Sequence, residues 1–422
     1  VSAVSAVELT DLGAPAFPPE VAAVRAAMAE MAPACDLDPA AVCQAATART
    51  GLDDFGDPAF RPRLDVLCEA LRTEAGLSPQ GVVSTHGQLV QLLANRLLVT
   101  ALIGAHPEIL EQEIRAPIII CGLPRTGTTH LHNLLAADPA LRYLPYWESL
   151  EPVLPASEQP GPGEPDPRLA RTEAGLEYLN AALPHFRRMH EMTTWHAHEE
   201  IQLLAVDVAG MYFETMAPMP TWRDHYRSSD QTEPYAYLRT MLQVLQWLRG
   251  GERWVLKSPQ HLEQFRALVR TFPDATFVVT HRDPVSVTAS MCTMITYSAR
   301  LSLAEVDPPA IAGYWARRIE DLLRACTDDR EILPADHSID VRFSDLLADQ
   351  EAVVREIYDL AGQELSDASL AAMHQFAEAH PRGRHGTVAY AMTPLGLDST
   401  ERRRSLAGYS ERFGVADDWS GD

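Results

Sequence analysis

The stretch ICGLPRTGTTHL, residues 120–131, constrains this chain more than any other. It follows a short apolar run and leads into a helical pattern, the order strand, loop, helix. Its two glycines, Gly122 and Gly127, keep the spacing of the phosphate-binding loop G-x-x-x-x-G-K-[ST]. Thr128 stands where that motif requires Lys, and the positive charge sits inside the loop at Arg125. A turn of this kind aims backbone N–H groups and the positive end of a helix dipole at one point, which suits a phosphate. The guanidinium of Arg125 adds a planar donor fork that stays charged at any relevant pH.

Three more apolar runs follow: RWVLKS (253–258), ATFVVTHR (275–282) and HSIDVRF (337–343). Each is bounded by Pro, Gly or charge and is followed by a helical pattern. Alternating strands and helices predict an α/β fold, a P-loop-like parallel β-sheet flanked by helices. Ligands of such sheets bind beyond the carboxyl ends of the strands. Arg125, Lys257 and Arg282, at or just past those ends, are therefore expected to share one crevice. His281 alternates with Arg282 and is expected to face the other way, in a structural role.

Residues 1–114 read as an N-terminal helical region and 115–422 as the α/β domain. Apolar residues recur at three-and-four spacing over 18–33, 61–76 and 81–106, with a turn-rich connector at 50–62. The segment 151–168 is acidic and rich in Pro and Gly, so it reads as a loop. The apolar stretch 89–106 contains Gln91, Asn95 and Arg96 and reads as an amphipathic helix, leaving no expected transmembrane segment. The opening residues, 1–13, lack the pattern of a secretory signal. Six cysteines form no C-x-x-C pair and no zinc spacing, which suits reduced thiols and a cytoplasmic location. A formal charge of −23 argues against a nucleic-acid partner. A protein this acidic must gather its basic groups at one place to bind an anion.

GLPRTGTT (122–129) resembles the 5′-phosphosulfate loop of sulfotransferases that use 3′-phosphoadenosine 5′-phosphosulfate (PAPS). HRDPVSVTAS (281–290) is similar to the same family's 3′-phosphate motif, with Arg282 followed eight positions later by Ser290. WVLKSPQHL (254–262) resembles the segment that carries the active-site Lys, here Lys257. HPRGRHGTVAY (380–390) is similar to the C-terminal Arg/Gly loop that closes on the nucleotide, which brings in Arg384 and Gly386. These motifs span roughly residues 116–390 in the family's order.

The resemblance implies a sulfotransferase with PAPS as donor, 3′,5′-adenosine bisphosphate as product and no metal. Arg125, Thr126, Gly127, Thr128, Thr129 and His130 would line the cofactor, with Arg282 and Ser290 on its 3′-phosphate. Arg125 would meet the leaving bridging oxygen and Lys257 the sulfuryl oxygens, while Thr128 and Thr129 hold the 5′-phosphate. His130 replaces the Trp that stacks on adenine in cytosolic members. Those members place a basic His two residues after the Lys, where this chain has Pro259. Members with Arg in the loop use a Glu soon after the first helix, and Glu148 lies near that position. His198 and His261 are the alternatives for the base. Acceptors open to such an enzyme are a small molecule, a lipid or a glycan. The rival readings are a P-loop kinase or NTPase, and a nucleotide-binding sensor or scaffold without catalysis.

Overall fold

The structure, a computed structural model, describes residues 6–421. The first five residues of the opening stretch, read above as no export signal, lie outside the described residues. The four apolar runs form four strands: β1 (Ile118–Cys121), β2 (Val255–Ser258), β3 (Thr276–His281) and β4 (Ser338–Arg342). All are parallel, in the order β2-β1-β3-β4. Ile120 pairs with Lys257 on one side of β1 and with Val278 on the other, so the strands end at one edge.

Alternation along these strands divides the core in two. Ile119, Cys121, Leu256, Phe277 and Val279 face the larger cluster, while Ile118, Ile120, Val255 and Val278 face the smaller one. Both faces are covered by helices, which is why β1, β2 and β3 are buried throughout, whereas the edge strand β4 keeps Asp340 and Arg342 exposed. The smaller layer is built from the helices Thr128–Ala136, Gln350–Ala361 and Asp367–Ala379. The larger cluster runs from Leu12 to Tyr409 and takes in three of the four N-terminal helices, those after the first.

Those helices are α1 (Pro19–Met31), α2 (Pro39–Thr50), α3 (Phe60–Thr73) and α4 (Pro79–Ala105). An Asp-Pro or Ser-Pro pair recurs at helix starts. Asp38 accepts from the N–H of Ala40 at 2.9 Å and Ser78 from that of Gly81 at 3.0 Å, while Pro39 and Pro79 fill positions that need no donor. By length and composition α4 could cross a membrane, yet half of its most apolar window is buried within the protein. Arg96 of α4 lies inside that core, donating to Asp207 at 2.7 Å and to the carbonyls of Phe55 and Asp57 at 2.8 Å.

After β1 come α5 (Thr128–Ala136), α6 (Tyr146–Leu150) and α7 (Pro167–Ala182). The segment 151–166 between the last two is irregular apart from two short turns, so the expected loop gives way to α7 two residues early. Arg171 of α7 pins it by ion pairs to Glu151 and Glu158, both at 2.7 Å. All six cysteines are free, five of them buried.

Candidate active site

The loop after β1 is held in a conformation that few sequences tolerate. A Cβ on Gly122 would lie 1.9 Å from Thr280 Oγ1, so only glycine fits beside β3. Gly127 has φ +90°, and a Cβ there would meet Leu346 at 2.9 Å and Phe343 at 3.0 Å. Arg125 itself sits at φ +75°, an unfavourable region for a residue with a side chain. Thr126 ties the turn down, its hydroxyl contacting the Leu123 carbonyl and the Thr280 hydroxyl, each at 2.7 Å. Thr128 and Thr129 then open α5, with Thr128 buried.

Arg282 and Ser290 meet at this loop. Arg282 Nη1 donates to the Arg125 carbonyl at 2.9 Å, and Arg125 Nε donates to Ser290 Oγ at 2.8 Å. Arg125 also reaches the Met189 carbonyl and, at 3.3 Å, the Tyr390 hydroxyl. Arg282 lies over the Phe343 ring at 4.4 Å, and Arg382 over the same ring at 5.5 Å. Burial pulls the Arg125 guanidinium below its ordinary value, and the charges of Arg282 and Arg382 pull the same way. Three guanidinium groups thus crowd one loop of an acidic protein.

Lys257, at the end of β2, is buried, and its ammonium is paired with the Glu199 carboxylate. Its backbone N–H donates to Glu200 at 2.8 Å. The other oxygen of Glu200 contacts His261 Nε2 at 2.5 Å, and His261 Nδ1 meets the Tyr235 hydroxyl at 2.8 Å. Burial alone would raise the Glu200 pKa, but His261 and two backbone N–H groups hold it below the usual range. His261 therefore stands in a buried chain behind Lys257.

His190, His196 and His198 cluster beside Lys257, with ring centroids 5.5 Å and 6.2 Å apart in that order. Burial and neighbouring positive charge keep all three neutral, with His190 pushed down to about 3. Arg125 donates to the carbonyl of Met189, the residue before His190, and the charges of Arg125 and Lys257 both lower the His190 pKa.

Other sequence-selected residues lie apart from this centre. Glu148 turns to Arg142 at 2.5 Å and Arg249 at 3.6 Å, a buried ion-paired position. His130 contacts Gln350 at 2.9 Å, with its ring 6.1 Å from Phe376. Arg384 pairs with Glu191 and Gly386 takes φ +86°, so the 382–388 loop is latched onto the segment that carries His190. His281 is buried between Tyr409 and Asp340, facing away from Arg282's partners as alternation requires.

Glu199, Glu200, Glu191, His190, Phe343 and Tyr390 were not singled out from the sequence. The signal nearest to hand was WHAHEE (195–200), where two consecutive carboxylates precede a short buried helix.

A parallel sheet whose first strand ends in an arginine-lined anion loop, lacking the motif Lys, defines a group-transfer enzyme of the P-loop-like α/β class. Residues 117–367 match the model of the Sulfotransferase family, and the chain belongs to that family. It is similar to the omega-hydroxy-beta-dihydromenaquinone-9 sulfotransferase Stf3 of Mycobacterium tuberculosis and of Mycobacterium bovis. Each is 25% identical over 289 residues, 66% of this chain and 70% of the relative. Among solved structures, sulfotransferase STF1 of Mycobacterium tuberculosis is 31% identical with a TM-score of 0.75, covering 87% of this chain and 97% of that one. Sulfotransferase STF9 of Mycobacterium avium is 26% identical with a TM-score of 0.79, covering 89% and 96%.

Proposed function

We propose that this sulfotransferase moves a sulfuryl group from PAPS to a hydroxyl on a small, lipid-like acceptor. The observation that carries the donor half is the convergence of Arg125, Arg282 and Arg382 on the loop after β1. Like charges held this close favour an anion bound between them. The acceptor half draws on the menaquinone derivative named for the Stf3 relatives.

In this reading the 5′-phosphosulfate lies on the loop amides with Thr128 and Thr129, and the 3′-phosphate on Arg282 and Ser290. PAPS supplies the sulfuryl group. The acceptor oxygen attacks sulfur in line, the new O–S bond forms, and the bond to the bridging oxygen breaks. Negative charge grows on that bridging oxygen, where Arg125 serves, and 3′,5′-adenosine bisphosphate departs. Lys257 turns from Glu199 to the sulfuryl oxygens. The Glu199 carboxylate so released takes the acceptor proton, because it is the carboxylate that the Lys257 ammonium gives up. His198 is held neutral with a depressed pKa, so it is a weaker base than an ordinary histidine. Glu148 keeps the ion pairs described above, and His261 stays behind Glu200.

Incubation with 35S-labelled PAPS and a panel of primary alcohols and phenols tests this reading. Label should move to an acceptor with stoichiometric release of bisphosphate. Label transfer to none of them, or hydrolysis of ATP in its place, would overturn it.

A further inference from the structure

A cavity of about 250 Å³ opens between α6 and α7, apart from the donor loop. Tyr146, Leu150, Leu176 and Leu179 give it an apolar lining, and Gly175 contributes bare backbone. The volume equals that of about eight waters at roughly 30 Å³ each, enough for one ring with a short alkyl chain. Arg171, on its wall, is already paired with Glu151 and Glu158, so the cavity offers no free cation to an anionic ligand. Its chemistry suits a neutral apolar group.

Tyr146 stands between this cavity and the reacting end of β2. Its ring lies 4.7 Å from the His198 ring, and the charge of Lys257 reaches His198. The backbone fixes that contact. Tyr146 N–H donates to the His196 carbonyl at 3.0 Å, His198 N–H donates to that of Leu144 at 2.7 Å, and Pro145 bridges to Ala197. His196 Nε2 and His198 Nδ1 are buried and have no hydrogen-bond partner, which is unfavourable until a polar group reaches them.

Gly175 sharpens the point. It lies inside α7, where glycine is a poor helix former, and a Cβ built there would meet nothing within 4 Å. No neighbour requires glycine at this position. It is exposed at the rim of the cavity, where a large side chain would cover the opening.

We infer that the cavity holds the apolar body of the acceptor, with Tyr146 as a positioning residue between that body and the hydroxyl presented to His198 and Lys257. The acceptor class is a neutral alcohol or phenol carrying a ring or branched alkyl group. This inference rests on the sulfuryl-transfer reading above.

The test uses 4-butylphenol, titrated calorimetrically onto the protein saturated with 3′,5′-adenosine bisphosphate and also assayed as sulfuryl acceptor. Gly175→Phe should block the mouth of the cavity, weaken 4-butylphenol binding and raise its KM at least tenfold. Its bisphosphate affinity should stay unchanged, which also reports that the variant is folded. Gly175→Ala should stay within about twofold of the parent, a small step in a helix that tolerates it. Gly175→Leu serves in place of the Phe variant if the latter loses bisphosphate binding. Equal 4-butylphenol binding by parent and blocked variant, or none by the parent complex, would overturn the inference and leave the donor assignment standing. Failure of the parent protein to bind bisphosphate would instead remove the sulfuryl-transfer reading, and this inference with it.

Discussion

Lys257 and Glu199 form an ion pair at the end of β2, with the Lys257 side chain almost wholly buried and that of Glu199 18% exposed. A lysine that turns to an incoming sulfuryl group leaves this carboxylate free to accept a proton. Glu199→Gln should lower kcat by about 10²–10⁴-fold, the span of general acid–base catalysis, with bisphosphate affinity little changed. Glu148→Ala should act on stability instead. It leaves Arg142, 11% exposed, without its carboxylate, at a cost of about 3–5 kcal/mol. Thermal melts and single-turnover rates on both variants check this. A stable Glu148 variant with no turnover beside an active Glu199 variant would reverse the two roles.

Arg282 is shared between the Arg125 carbonyl and Asp418, whose carboxylate lies 2.8 Å from Nε. If this guanidinium binds the 3′-phosphate, Arg282→Ala should weaken 3′,5′-adenosine bisphosphate by about 1.5–3 kcal/mol, the worth of a hydrogen bond to a charged group. Binding of 5′-AMP should change far less. Asp418→Asn removes the competing anion and should tighten the bisphosphate. Equal losses for both nucleotides in the Arg282 variant would count against the assignment.

The 382–388 loop is fastened through Glu191, which accepts from Arg384 Nε at 3.0 Å and lies 2.8 Å from His385. Burial would raise the Glu191 pKa, but Arg384 and His385 hold it below the usual range. Glu191→Gln should speed amide hydrogen exchange over 382–388 in the free protein, and bisphosphate should restore protection. Exchange unaffected by either change would assign the loop to packing alone.

Acid should destabilise the protein through its buried histidines. Burial and neighbouring positive charge push His132 down to about 4 and His190 to about 3, while His196 and His198 lie well below 6.5. Below pH 6.5 the unfolded chain binds protons that the folded chain refuses, so stability falls as pH falls. The loss continues to about pH 4 for His132 and to about pH 3 for His190. Each such histidine contributes about 1.4 kcal/mol per pH unit inside its window. Melting temperature should drop from pH 7.5 to 5, and less steeply in His190→Gln. Parallel curves for the two proteins would contradict the account.

The strands were legible because β1, β2 and β3 are buried on both faces, which leaves continuous apolar runs bounded by Gly, Pro or charge. The anion loop was legible because its glycines answer to local sterics: Gly122 against Thr280, Gly127 through its positive φ. The carboxylates around the site were not. Glu199 and Glu191 gain their partners from residues 58 and 193 positions away, a pairing that no local pattern encodes. Glu148 sits near the sequence position that drew attention to it, but α6 is only five residues long, and its packing turns that carboxylate toward Arg142. Helices this short carry too little periodicity to predict which face is buried.

On the proposed function, the loop of Arg125 holds the phosphates of PAPS and not those of ATP. Calorimetric titration of the purified protein with 3′,5′-adenosine bisphosphate and with ATP, each with and without magnesium, tests it most directly. One-site binding of the bisphosphate, indifferent to magnesium, is expected, with much weaker binding of ATP under either condition. Tight magnesium-dependent binding of ATP, with no measurable affinity for the bisphosphate, would contradict it.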